Sequence, residues 1–174
     1  MNITELKEKI ELATKQAFTE MYKKHGKEKI YAFALYSDEG AMTVCPSTNT
    51  IDALKKHEGD DDFLYYKYEP AEWKYEMQGA DELFNEISKY CRSEVSKMED
   101  DEFEPFQKQL YETCLEILLK LKSENFFEQI AGENIFLNFT VSDYEFSKKD
   151  VKNIVNSLND NKYNKEYLDW MKTW

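Results

Sequence analysis

The fold class follows from residues 30–45, which read IYAFALYSDEGAMTVC. Residues 30–36 are a run of aromatic, aliphatic and small side chains, which is typical of a buried strand. Residues 37–40 (SDEG) have the composition of a tight turn, and residues 41–45 then resume an extended pattern. The stretch predicts a β-hairpin whose second strand ends at Pro46.

Helical patterns flank this hairpin on both sides. Asn2 and Glu5 have the spacing of a capping box, and the apolar periodicity that follows predicts a helix that ends at Gly26 in a left-handed cap. After the hairpin, Ser47 or Thr48 is suited to cap a short second helix. We therefore expect one helix on each side of the first two strands.

Two more strands and four more helices complete the pattern. Residues 63–68 (FLYYKY) have the aromatic content of a third strand, and residues 135–142 alternate apolar with more polar side chains, as in a strand with one buried face. Amphipathic patterns predict two helices between these strands and two after them. The sequence thus predicts a single α+β domain over residues 1–174, in the order αββαβααβαα. Its four-stranded sheet is expected to be mostly antiparallel, with helices packed on one side.

The composition indicates a folded intracellular chain. Hydrophobic residues make up 41% of the sequence, yet no apolar run approaches the ~20 residues of a membrane span. The N-terminus is amphipathic and charged, unlike a signal peptide. The cysteines Cys45, Cys91 and Cys114 are odd in number and widely spaced, which favours reduced thiols. We expect a cytoplasmic protein that does not associate with a membrane.

Negative charge is concentrated in the middle of the chain. Residues 58–105 hold 16 acidic and 5 basic side chains, a net charge of −11, within a total of −12. Nucleic acid would be repelled by such a surface, because its binding depends on lysine and arginine. A basic protein partner would be attracted. The alternative interpretation is that these acidic residues only keep the surface soluble.

Aromatic and acidic residues together form the candidate partner-binding site. Tyrosine and tryptophan offer large, rigid contact areas, and neighbouring carboxylates select a basic partner. In the alternative interpretation, these rings belong to the core. The candidate residues, expected to lie on or beside one acidic surface, are Asp60, Asp61, Asp62, Tyr66, Tyr68, Glu69, Glu72, Trp73, Glu99, Asp100, Asp101 and Glu102.

The sequence contains no recognisable catalytic, cofactor or metal motif. Its glycines are isolated, it has no CxxC pair, and His25 and His57 stand outside any ligand signature. The consecutive residues Asp60, Asp61 and Asp62 do not have the alternating spacing of a calcium loop. We predict no catalytic residue, no metal and no cofactor. An enzyme with a carboxylate-lined pocket and a scaffold or regulatory module remain the alternatives to a binding protein.

Several short stretches resemble a family of small bacterial proteins of unknown function. They are residues 30–40 (IYAFALYSDEG), 46–50 (PSTNT), 69–75 (EPAEWKY), 141–143 (VSD) and 157–159 (SLN). Members of that family look associated with toxin–immunity systems, in which a neutralising protein protects the cell that produces a secreted toxin. The resemblance implies a bacterial cytoplasmic immunity protein that binds a basic toxin domain. It implies no catalytic residues.

Overall fold

A computed structural model describes residues 2–143 and 146–174 of the chain. These residues form eight α-helices: α1 (Ile3–His25), α2 (Ile51–Leu54), α3 (Phe63–Tyr68), α4 (Asp81–Val95), α5 (Asp100–Ser123), α6 (Phe126–Ala131), α7 (Lys148–Leu158) and α8 (Lys162–Met171). The strands are β1 (Ile30–Asp38), β2 (Val44–Thr50), β3 (Tyr75–Glu76) and β4 (Phe136–Ser142). Short 3-10 helices span Gly26–Glu28, Lys55–His57 and Pro70–Glu72. Among the described residues, no helix has the length and apolar character needed to cross a membrane.

The four strands form one mixed sheet in the order β3-β2-β1-β4. The predicted hairpin is confirmed, since β1 pairs antiparallel with β2, and β3 continues antiparallel on β2. β4 lies parallel to β1 over its whole length, from Ala32 opposite Phe136 to Asp38 opposite Ser142. The prediction of a mostly antiparallel sheet is therefore wrong. The helices α4, α5 and α6 precede β4 and form the long crossover that a parallel strand requires.

Helices cover both faces of the sheet, and not one face as predicted. Phe33 and Leu35 of β1 point into a first core with α1, α4, α5 and α6. Ala34 of β1 and Phe136 of β4 point into a second core with α3 and α8. Both faces of β1 are consequently buried, which explains why its sequence shows no polar alternation.

Residues 63–68 form the helix α3, so the predicted third strand is wrong. The aromatic content of this stretch serves the second core, where Tyr68 is fully buried and Phe63 packs at the edge. Aromatic residues favour a strand only where a neighbouring strand offers hydrogen bonds. The edge of β2 is instead paired with the two-residue strand β3, and residues 63–68 are not part of the sheet. The element order is otherwise close to the predicted one.

Pro46 lies inside β2 and does not end it. Its carbonyl accepts a hydrogen bond from the amide of Met77 at 2.9 Å, which shows that the backbone of Pro46 faces away from β1. The missing N–H therefore removes no bond between β1 and β2. Because β2 continues to Thr50, the cap of α2 is Thr50, whose hydroxyl accepts from the amide of Ala53 at 3.2 Å, and not Ser47 or Thr48.

The first helix begins as predicted and ends differently. Asn2 and Glu5 form the capping box, with the Asn2 side chain 3.0 Å from the Glu5 amide. Gly26 has a right-handed conformation with φ −56°. The left-handed residue is Lys29, with φ 60°, because a turn of 3-10 helix is inserted between α1 and β1.

Candidate functional site

The twelve predicted binding residues fall into two groups at opposite ends of the sheet. Asp60, Asp61 and Asp62 lie beside Tyr66, whose carbonyl accepts a hydrogen bond from Asn49 near the end of β2. Glu99 to Glu102 begin α5, and Gln107 of that helix donates to the Glu39 carbonyl at 2.6 Å, just beyond the end of β1. Since β1 and β2 are antiparallel, these are opposite ends, separated by roughly 25 Å along β1 at about 3.3 Å per residue. The two groups do not form one surface.

At the first end, two predicted contact residues are buried. Tyr68 is 1% exposed and its hydroxyl donates to Glu166 at 2.9 Å, while Trp73 is 3% exposed and donates to the Lys67 carbonyl at 3.2 Å. Both rings belong to the second core: α3 turns Tyr68 inward, and Trp73 enters the core at the end of the 3-10 helix Pro70–Glu72. Tyr68 and Trp73 are therefore corrected from contact residues to core residues.

A shallow cleft of about 110 Å³ at this end of the sheet is lined by His57 and Tyr66 among others. The imidazole of His57 stacks on Tyr66 at 3.8 Å and its Nδ1 lies 3.1 Å from Asp60. Glu72 and Lys74 line the same cleft. Lys74 pairs with Glu28 at 2.8 Å, and Glu72 accepts a hydrogen bond from the Tyr65 hydroxyl at 3.4 Å.

Glu69 is the one described carboxyl group whose pKa is raised above its ordinary value. Its partial burial next to Glu72 causes the shift. An enzyme with a carboxylate-lined pocket would require at least two such groups facing a common cavity. Glu28 shows the opposite shift, to a pKa of about 2, because Lys74, Tyr75 and His25 all contact its carboxylate.

The three cysteines are buried thiols and not activated nucleophiles. Cys45, Cys91 and Cys114 are free and buried, and burial raises the pKa of each thiol, to about 11 for Cys45 and about 12 for Cys91. Such thiols stay protonated at neutral pH and are weak nucleophiles. Within residues 2–143 and 146–174, no group of three or more His, Cys, Asp or Glu side chains is placed to hold a metal ion.

At the second end, residues 99–104 (EDDEFE) form the acidic turn, the first turn of α5 and its cap. Glu99 and Glu102 complete a reciprocal capping box, in which the Glu99 amide donates to the Glu102 carboxylate at 3.1 Å. Phe103 packs against the first core and fixes the turn in place. The five carboxylates are exposed, and none forms a salt bridge with another residue of the described chain.

The acidic turn leads into a groove between α5 and α7, here called the α5–α7 groove. It encloses about 370 Å³. Its apolar lining comes from three different elements and the segment before α7, and its charged rim comes from both helices. The apolar residues are Tyr111, Leu115, Phe139, Phe146 and Ile154, and the charged residues are Glu104, Lys108, Glu112 and Asp150.

Aromatic contacts and a hydrogen bond hold the floor of the groove. The rings of Tyr111 and Phe139 have centroids 5.8 Å apart, and Phe146 lies 6.4 Å from each of them. The Tyr111 hydroxyl donates to the Asp38 carbonyl at 2.8 Å, which ties α5 to the end of β1. The floor is therefore preformed by the fold.

Sequence reasoning found the acidic turn and missed the groove. Glu104 directly follows the predicted run, whereas Phe139 and Asp150 are distant from it in sequence and meet it only through the parallel placement of β4. The alternation in residues 135–142 indicated that Phe139 is buried. It could not indicate which helices would stand on either side.

Comparisons with known proteins give a family and no activity. A family model described as "Domain of unknown function (DUF4303)" matches residues 10–160, a range that contains all four strands, the acidic turn and the lining of the groove. No curated protein and no solved structure matches the chain. The match agrees with the resemblance to a family of unknown function, and it carries no toxin–immunity role.

Proposed function

Because the chain belongs to the DUF4303 family, whose function is unknown, we propose a role from the site itself: a non-enzymatic binding protein whose acidic turn engages a basic protein partner. The observation that carries the proposal is the set of five exposed carboxylates in residues 99–104. Like charges at such short spacing create a local potential that attracts cationic groups and accelerates their encounter.

The surroundings of the two acidic groups favour the acidic turn over residues 60–62. Lys55, Lys56 and His57 lie a few residues before the three aspartates, with Glu58 and Gly59 between them, and Lys29 lies at the same end of the sheet. The acidic turn has no basic residue between Lys97 and Lys108. The negative charge of the acidic turn is therefore less compensated than that of residues 60–62. A basic surface would be attracted more strongly to the acidic turn.

The resemblance to proteins of toxin–immunity systems gives the proposal a specific form. In that form the chain is a bacterial cytoplasmic immunity protein, and the partner is a basic toxin domain whose active surface it occludes. Occlusion needs no catalytic residue; among the described residues the thiols are buried, and Glu69 is the one carboxyl group with a raised pKa. The carboxylate-pocket enzyme is the weaker alternative for the same reason.

The test compares two matched charge reversals. A tagged chain is used to isolate its partner from the native host, and association is then measured with both purified proteins. The double variant Asp100→Lys/Asp101→Lys should slow association by about tenfold at low salt and flatten its salt dependence. The control Asp60→Lys/Asp61→Lys makes the same change in charge at the other end and should alter the rate less than about twofold.

Thermal unfolding of both variants serves as the check on folding. Lysines in the first turn of α5 oppose the helix dipole, so a loss of about 1 kcal/mol is expected for Asp100→Lys/Asp101→Lys. Equal association rates for the two variants, or binding that does not change with salt, would contradict the proposed function.

A further inference from the structure

The α5–α7 groove offers a ligand both apolar contact and negative charge. Leu115 and Phe146 are only partly buried, and the groove between them is floored by Tyr111 and Phe139. Cavities of a few hundred Å³ with an apolar lining and a few polar groups are typical binding sites. The groove, at about 370 Å³, is large enough to accept a few apolar side chains and too small for a whole helix.

Carboxylates line both sides of this groove. Glu104 and Glu112 stand on α5, and Asp150 faces them from α7. Among the described lining residues Lys108 is the one basic side chain, and its Nζ lies 3.9 Å from Oε1 of Glu112, which compensates one of the three charges. The rim is therefore net negative, and an apolar ligand that also carries positive charge is the complementary one.

The negative charges are distributed along the N-terminal half of α5. Residues 99 to 112 span about 20 Å at a rise of ~1.5 Å per residue, and Glu104 and Glu112 are about 12 Å apart along the axis. A compact cation would meet only part of this array. A peptide segment with lysine or arginine on both sides of its apolar residues would meet all of it.

From this arrangement we infer that the α5–α7 groove anchors the apolar side chains of a cationic peptide segment of the partner. The inference rests on the proposed function and adds the groove to it. The acidic turn attracts the segment, Glu104, Glu112 and Asp150 pair with its basic residues, and its leucine, isoleucine or phenylalanine side chains enter the groove. Buried apolar anchors of this kind carry most of the affinity at protein interfaces.

Two synthetic peptides test the inference against the full chain. The first, of about 14 residues, places leucines between flanking lysines, as in amphipathic recognition segments. The second replaces each leucine with serine and keeps the same charge. The leucine peptide should bind at least about tenfold more tightly than the serine peptide, because only it can fill the groove.

A matched pair of protein variants locates the contact. Leu115→Ser removes a groove side chain and should abolish the preference for the leucine peptide, whereas Leu12→Ser, at an exposed leucine of α1 that is 55% exposed, should preserve it. Should Leu115→Ser fail to fold, methyl chemical shifts of Leu115 and Ile154 in the unmodified chain provide the second measurement. They should move with the leucine peptide and not with the serine peptide.

The outcomes separate the inference from the proposed function. Equal binding of both peptides, weakened in both cases by Asp100→Lys/Asp101→Lys, would overturn the groove and leave the acidic turn as the binding element. A preference for the leucine peptide that survives Leu115→Ser, with unmoved Leu115 and Ile154 methyl shifts, would also overturn the groove. Absence of binding by either peptide at low salt would overturn both.

Discussion

Gly79 shows how one residue allows two helices to approach each other. It precedes α4 with φ +101°, and a Cβ at this position would lie 3.0 Å from both Cα and the carbonyl oxygen of Ala17 in α1. Contacts this short with backbone atoms cannot be relieved by rotating a side chain. Gly59 has a similar φ of +95°, but no heavy atom lies within 4 Å of its would-be Cβ.

These two glycines provide a matched pair of substitutions. Gly79→Ala should lower the free energy of unfolding by about 2–4 kcal/mol, since it combines backbone strain with overpacking. Gly59→Ala should cost about 1 kcal/mol, because only the strain applies. Urea denaturation of both variants measures the difference, and equal losses would show that α1 and α4 are not in close contact at Gly79.

Glu28 is the centre of a polar network that fastens the end of α1 to β3. Its carboxylate accepts from Lys74 at 2.8 Å and from the Tyr75 hydroxyl at 2.7 Å, and it lies 2.9 Å from Nδ1 of His25. The ring of His25 stacks on Tyr75 at 4.0 Å. These contacts favour the ionised form and hold the pKa of Glu28 at about 2.

The lowered pKa of Glu28 makes a pH-dependent contribution to stability. The contribution is fully present above the unfolded-state pKa, near 4.5, and is lost as the pH falls towards about 2. Glu28→Gln should therefore cost roughly 1–2 kcal/mol at pH 7, after allowance for screening by solvent. The difference in the free energy of unfolding between Glu28→Gln and the unmodified protein should decrease as the pH is lowered from 5 to 2. Glu8→Gln, at an exposed position of α1, is the control. A difference in the free energy of unfolding between Glu28→Gln and the unmodified protein that stays constant with pH would contradict the role of Glu28.

At the level of elements, the sequence correctly predicted the helices, strands and caps whose residue patterns are local. The capping box of α1, the hairpin of β1 and β2 and the strand at residues 135–142 are all present. The errors concern features set by distant partners. Whether residues 63–68 form a strand or a helix depends on whether an edge of the sheet is available to them. The direction of β4 depends on the length of its crossover. Neither dependence produces a periodic pattern in the sequence.

Asn159 protects the free edge of β4. Its side-chain amide accepts from the Leu137 amide and donates to the Leu137 carbonyl, both at 2.8 Å, and it also donates to the Val155 carbonyl at 3.1 Å. The buried side chain thus acts in place of a neighbouring strand at this point. It also fixes α7, one wall of the α5–α7 groove, against the sheet.

Asn159→Ala should lower the free energy of unfolding by about 2–4 kcal/mol, because it leaves the buried N–H and C=O of Leu137 unpaired. Asn153→Ala, at an exposed position of α7, should cost less than about 0.5 kcal/mol. Chemical denaturation gives both values. Hydrogen exchange at the Leu137 amide gives an independent readout, and unchanged protection there in Asn159→Ala would contradict the bond.

At the scale of the whole molecule, the two acidic groups are held at opposite ends of the sheet, and residues 60–62 share their end with basic residues. The acidic turn and the α5–α7 groove stand at the end where β1 finishes, while Lys29 and Lys55 lie at the end where β1 begins. The sequence identified both acidic groups, but their spacing could not tell that the fold holds them apart. Nor could it predict the groove, which is assembled from α5, β4 and α7 across about 50 residues of chain.

The most direct measurement is the footprint of the purified partner on the chain, mapped by backbone amide chemical shifts at low salt. The proposed function, with the groove as its anchor, predicts that the largest changes fall in residues 99–115 and 146–154, with residues 60–73 nearly unaffected. Largest changes in residues 60–73, or changes spread evenly over the surface, would contradict binding at the acidic turn.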